Sequence, residues 1–120
     1  MNNKRLGTQF EREMCELLKQ GGWWVHFLSP NEKGQQPFDI IAVKDDIPIA
    51  IDCKTSVRRT FPISRLEEDQ KTAFNLWLAR GNTRAYIAVK YNRKVYMIPF
   101  TYLEHEEVVD LEQWVAYYEV

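Results

Sequence analysis

Apolar residues first repeat at a helical period. Phe10, Met14, Leu17 and Leu18 stand at i, i+4, i+7 and i+8, which predicts an amphipathic helix over residues 8–20. Thr8 is its expected N-cap, and Gly21-Gly22 its stop. The pattern then changes. Residues 23–28 read as a strand, and residues 29–36 form a polar loop containing Pro30 and Gly34. Residues 38–43 and 47–55 are apolar strands separated by Lys44-Asp45-Asp46, a spacing that predicts an antiparallel hairpin. Both are apolar at nearly every position, as in a sheet covered on both faces.

Residues 56–63 read as a basic loop carrying Arg58 and Arg59. Ser64 is the expected cap of a second helix reaching about residue 79, with Leu66, Gln70, Ala73, Phe74 and Trp77 on one face and Gly81-Asn82 as its stop. Two further strands, 84–90 and 94–99, flank a turn at Tyr91-Asn92-Arg93, and residues 111–118 read as a short terminal helix. The order α-β-β-β-α-β-β describes an α/β protein, a mixed central sheet flanked by helices. At 120 residues the chain has the size of one domain. Its core is expected over about 8–103, followed by an acidic tail.

Charge refines this picture. The net charge of −1 hides an asymmetry: residues 1–100 hold all 16 Lys and Arg and carry about +5, whereas residues 101–120 carry about −6. A mildly basic body is compatible with a phosphate-rich partner, although a mixed surface alone would also produce it. Cys15 and Cys53 form no CxxC pair and are expected as reduced thiols, which disfavours zinc and a disulfide framework. No signal-peptide pattern and no apolar run of ~20 residues is present, so a cytoplasmic protein without a membrane span is expected.

The candidate chemistry lies in the hairpin. Alternation along a strand puts Asp52 and Lys54 on one face, and the hairpin brings Asp39 opposite the end of the third strand. Two carboxylates in an apolar hairpin repel each other and lose hydration. A hard divalent cation such as Mg²⁺ or Mn²⁺ relieves both costs, and Lys54 can then orient a water or offset charge on a phosphate. A plain Asp52–Lys54 ion pair is the simpler alternative.

Pro37-x-Asp39 followed by Asp52-x-Lys54 resembles the PD-(D/E)xK nuclease signature, with the proline displaced by one and Asp in place of the commoner Glu. Gly7-x-x-Phe10-Glu11-Arg12-Glu13, the stretch 37–55, Gln70 and the 84–99 hairpin extend the resemblance to Holliday junction resolvases of the RecU-like and archaeal Hjc-like types. The outline is closer to the compact archaeal type. The resemblance implies a restriction-endonuclease-like fold and a metal-dependent endodeoxyribonuclease acting on four-way junctions as a homodimer, with Mg²⁺ as cofactor and Mn²⁺ able to substitute. Glu11, Asp39, Asp52, Lys54 and Gln70 are the implied catalytic residues, with Glu11, Asp39, Asp52 and Cys53 at the metal.

Glu11 also fits a capping box with Thr8, and Gln70 could instead bond the sheet backbone. Ser29 is either a turn residue or, as the resemblance implies, a neighbour of the scissile phosphate. With Ser29, the expected DNA contacts are Lys4 and Arg5 on a polar N-terminus and Arg58 and Arg59 after the catalytic strand. The C-terminal aromatics are the expected dimer surface, with the acidic tail directed away from DNA. A less selective or restriction-type nuclease, or a degenerate nucleic-acid-binding module, is the alternative.

Overall fold

The computed structural model describes residues 3–28 and 38–119, with side chains of the first helix described from Gly7 onward. Helix α1 spans Asn3–Gln20. It buries Phe10, Met14 and Leu18, the predicted stripe, but begins before Thr8. Lys4, Arg5 and Leu6 are good helix formers, so the turn preceding Thr8 is already helical rather than a loose N-terminus. Thr8 is therefore inside the helix, and the capping-box reading of Glu11 is corrected.

Strands β1 (Trp24–Phe27), β2 (Ile40–Lys44) and β3 (Ile47–Thr55) form the predicted antiparallel meander. Lys44 pairs with Ile47 across a two-residue turn. Asp45 and Asp46 both have positive φ, 52° and 64°, as a turn matched to the twist of a hairpin requires. Strand β4 (Thr60–Pro62), a 3-10 turn (Ile63–Arg65) and helix α2 (Glu68–Ala79) lead to β5 (Ala85–Tyr91), which pairs parallel to β3. Strand β6 (Lys94–Pro99) returns antiparallel, with Asn92 and Arg93 again at positive φ. Helix α3 (Phe100–Glu106), strand β7 (Val108–Asp110), a 3-10 turn (Leu111–Gln113) and strand β8 (Tyr118–Glu119) complete the chain.

The main sheet has the order β1-β2-β3-β5-β6-β8, and β4 with β7 forms a second, two-stranded sheet. Two buried clusters cover the faces of the main sheet. Phe10, Met14 and Leu18 of α1 pack on Ile40, Ala42, Ile49 and Ile51. Phe74 of α2 and Phe100 and Leu103 of α3 pack on Ala50, Ile87, Val89 and Ile98 on the other side. The mixed α/β architecture with helices on both faces is the one predicted.

Four local predictions are corrected. Residues 56–63 contain β4, because β7 offers it a partner distant in sequence, with Thr60 opposite Asp110. Ser64 lies in the 3-10 turn and caps nothing; Glu67 is the N-cap of α2, and the Gln70 side chain accepts from its N–H at 3.0 Å. The short helix α3 was not foreseen, since it ends on Glu107 in a left-handed conformation without the usual glycine. The predicted helix over 111–118 is absent: the edge of β6 supplies partners instead, with Val95 opposite Tyr118, and Val115 is almost fully exposed.

Candidate active site

Asp39 and Asp52 are the only charged residues buried among those described. The ladder between β2 and β3 places them. The Asp39 N–H donates to the Ile51 carbonyl at 3.1 Å, just before β2 begins. The Asp39 carboxylate turns toward β3 and accepts the Cys53 N–H at Oδ2, 2.7 Å away. Asp52 lies between Ile51 and Cys53 and is 1% exposed. Its Oδ1 accepts from Gln70 Nε2 at 3.0 Å.

Its Oδ2 has no hydrogen-bond partner among the described residues. Lys54 Nζ approaches that oxygen to 3.4 Å as an ion pair, without the alignment of a hydrogen bond. A buried carboxylate oxygen left in this state is costly unless another cation takes it. The proton affinities agree. Burial holds the Asp52 carboxyl well above the usual carboxylate range, the adjacent Asp39 charge raises it further, and Lys54 lowers it only in part. Glu11, half-buried on α1, is pushed up from 4.5 to about 7 by burial and then by the Asp39 charge, against Lys54. Two carboxyls in contact with a third in electrostatic range make a site short of positive charge.

That deficit fits a hard divalent cation. Among the described residues, no three His, Cys, Asp or Glu side chains are gathered into a closed metal-ligating set. The donors are instead a carboxylate pair, with Glu11 further out. The Cys53 thiol is not a donor of the kind such an ion prefers: burial raises it well above its ordinary value and keeps it protonated. Strand alternation puts the Cys53 carbonyl on the same edge of β3 as its N–H, the edge facing Asp39, so the carbonyl is what Cys53 can offer an ion.

Gln70 has a double task. Its Oε1 accepts the Glu67 N–H, which fixes the amide orientation and turns Nε2 toward Asp52. The amide thus bonds Asp52 itself rather than the sheet backbone.

Of the expected DNA contacts, Arg58 and Arg59 can be placed. Ser29 lies outside the described residues, as do the side chains of Lys4 and Arg5. Arg58 is exposed on a loop shaped by Ser56, whose Oγ donates to the Arg58 carbonyl at 2.8 Å. Arg59 approaches Asp110 at 3.5 Å and Glu112 at 3.7 Å. The acidic C-terminal segment therefore folds back onto the basic loop.

A cleft of about 1030 Å³ opens beside Lys54, bordered by α1, the end of β3 and the β5–β6 turn. Arg12, Arg65, Lys90 and Arg93 line it. Sequence reasoning passed over these four. Their only signal was a charge on a helix, at the end of an apolar strand or in a turn, which an ordinary solvated surface also has. Lys90 is tied to Glu13 of α1 at 2.9 Å, joining the helix to β5.

The aromatics expected at a dimer surface divide. Tyr96, Ile98 and Phe100 are buried in this chain's own core, and Tyr102 meets Trp114 edge-on at 5.0 Å. Tyr117 and Tyr118 are exposed. No helix of the described residues is long and apolar enough to cross a membrane.

The chain is similar to known proteins. A crossover junction endodeoxyribonuclease Hjc from Methanocaldococcus jannaschii is 31% identical over 97 residues, covering 80% of this chain and 68% of the relative. The solved structure of Archaeoglobus fulgidus Hjc, described as a Holliday junction resolvase from an archaeal hyperthermophile, superposes with a TM-score of 0.67 at 25% identity, covering 87% of this chain and 86% of that one. The model of the archaeal Holliday junction resolvase (Hjc) family matches residues 2–116, a span that takes in both aspartates, Lys54 and the strands that hold them. The chain belongs to the archaeal Holliday junction resolvase family.

Proposed function

We propose that this protein is an endodeoxyribonuclease that resolves four-way DNA junctions, and that Asp39, Asp52, Lys54 and Glu11 form its active site. The observation that carries the assignment is the buried Asp52 carboxylate, with one oxygen held by Gln70 and the other, beside Asp39, ion-paired to Lys54 but without a hydrogen bond. Hjc-type nucleases depend on a divalent metal. Magnesium is the proposed ion, with manganese able to replace it, and Asp39, Asp52, the Cys53 carbonyl and Glu11 are its proposed holders. When bound, such an ion supplies a Lewis acid to the phosphate and makes a water more acidic.

The chain's own groups do the rest. Cys53 N–H fixes Asp39, and Gln70 fixes Asp52, so neither carboxylate must be ordered when substrate arrives. Lys54 brings a point charge to the edge of the cleft, where a phosphate lying there would meet it. Arg58 and the cleft cations are proposed to hold the phosphate backbone, which gives affinity without reading bases. Lys4, Arg5 and Ser29 remain proposed contacts. Arg59 would have to leave Asp110 and Glu112 to join them.

A four-way junction presents two equivalent strands to cut, and one chain carries one carboxylate pair. The proposed working unit is therefore a two-fold homodimer. Exposed apolar surface suited to a second copy exists at Leu76 on α2 and at Val115, Tyr117 and Tyr118 in the C-terminal segment.

The test compares end-labelled four-way junction with linear duplex of the same sequence, with and without magnesium or manganese, while light scattering gives the mass. The expected result is paired symmetric nicks in the junction alone, only with metal, from a particle of twice 14.3 kDa. Equal cutting of duplex would leave a nuclease without junction selectivity. Junction binding without cutting in either metal would leave a binding module.

A further inference from the structure

Five cations border the cleft beside the active site, and they are not equivalent. Lys54 faces Asp52, and Lys90 is neutralised by Glu13. Arg12 and Arg93 have no hydrogen-bonded or ion-paired partner among the described residues, and nothing there fixes their heads. Among the described residues, Arg65 alone of the five is both fixed and uncompensated. Its Nη2 donates to the Thr55 carbonyl at 2.9 Å, one residue beyond Lys54. Its guanidinium carbon lies 5.2 Å from the centre of the Phe61 ring. Phe61 is fully buried in β4, which β7 pins in place, so the ring is a rigid support.

Both of these partners are electrically neutral. A carbonyl and a ring face orient a guanidinium while leaving its charge unneutralised and four of its five N–H donors unused. We infer that Arg65 is a pre-organised phosphate-binding residue, gripping the DNA backbone one position along the cleft from Lys54. This rests on the junction-nuclease reading and assigns part of its substrate grip to one side chain. Orientation in advance lowers the entropy lost on binding, and the fork of donors suits two oxygens of one phosphate. The Thr55 bond also ties the 3-10 turn to the end of the catalytic strand, so a purely structural role is the competing explanation.

Two substitutions separate these. Arg65→Gln can keep a hydrogen bond to Thr55 but loses the charge; Arg65→Lys keeps the charge but loses the fork. Affinity for a four-way junction and for linear duplex is measured without divalent metal, so that nothing is cut, from 0.05 to 0.2 M salt. One phosphate contact corresponds to a slope of ~0.9 in log K against log salt, which is about 3.5-fold over that fourfold range. Arg65→Gln is therefore expected to lose about that much of the salt dependence on both DNAs. Arg65→Lys should keep the wild-type slope with weaker binding, and Arg80→Gln, at the far end of α2, should change nothing.

A wild-type slope in Arg65→Gln overturns the inference, whatever its melting temperature. An equal drop of affinity and melting temperature in both Arg65 variants, with slopes unchanged, assigns Arg65 to structure alone. Wild-type protein that binds neither DNA at low salt removes the junction-nuclease reading and this inference with it.

Discussion

Glu11→Gln tests the electrostatic account of the site through stability. Glu11 lies inside α1, half-buried, and its carboxyl is pushed from 4.5 to about 7 by burial and by Asp39. The folded state thus favours the protonated form. That contribution is complete below about 4.5 and is lost as pH rises to about 7. Glutamine resembles the protonated acid and does not titrate, and its helix propensity is similar. At ~1.4 kcal/mol per unit the displacement sets a ceiling of roughly 3 kcal/mol. Solvent reaches about half of the group, and screening reduces the expected effect to roughly 1–2 kcal/mol.

In metal-free buffer the variant and the wild type should melt alike near pH 4.5. At pH 8 the variant should melt higher by about 4–8 °C. Magnesium at pH 8 should narrow this gap by raising the wild type, whose carboxylates then have a counter-charge. The assay is thermal melting followed by circular dichroism across pH, with and without metal. A constant difference between the two proteins from pH 4.5 to pH 8 would refute the reasoning, because it would mean that Glu11 does not feel the site.

Three further outcomes follow from the geometry. Lys54→Ala should abolish cleavage and Lys54→Arg should restore little of it in a single-turnover assay, since a planar guanidinium cannot take an ammonium's place beside a buried carboxylate; full activity of the arginine variant would mean that charge alone suffices. Gln70→Leu should weaken metal binding about 10-fold or more by calorimetry, because Asp52 loses its fixed donor and Glu67 loses its cap; unchanged affinity would leave Gln70 a helix cap only. Phe74→Ala should cost about 3–5 kcal/mol in denaturant unfolding, as Phe74 stacks on Phe100 and packs at a tilt against Phe38 with no exposed surface; a loss under 1 kcal/mol would contradict the packing described.

What the sequence made legible was local. Alternation and a two-residue turn located β2 and β3, and with them Asp39, Asp52 and Lys54 at one end of a hairpin. The apolar stripe of α1 was equally plain. Signals that depend on distant partners were not legible. Thr8 has the chemistry of an N-cap, but the preceding residues continue the helix and remove the need for one. Residues 60–62 form a strand only because residues 108–110 lie beside them. The C-terminal segment extends because the edge of β6 is free to pair with it. The pairing of Arg59 with Asp110 and Glu112 spans half the chain, and no local pattern announces it. Gln70 was readable as a polar residue in an apolar stripe, whereas its division between Glu67 and Asp52 required the start of α2 to be known.

The central claim is that Asp39 and Asp52 serve the cutting step rather than the fold or the grip on DNA. It is tested most directly by measuring junction binding and junction cleavage side by side in Asp39→Asn and Asp52→Asn. Asparagine matches each carboxylate in shape, and at Asp52 it removes a buried charge that lacks a full partner, so the variants should remain folded. The account predicts wild-type binding without metal and no detectable nicking with magnesium, since the phosphate contacts lie elsewhere along the cleft. Cleavage by either variant at near the wild-type rate would contradict it.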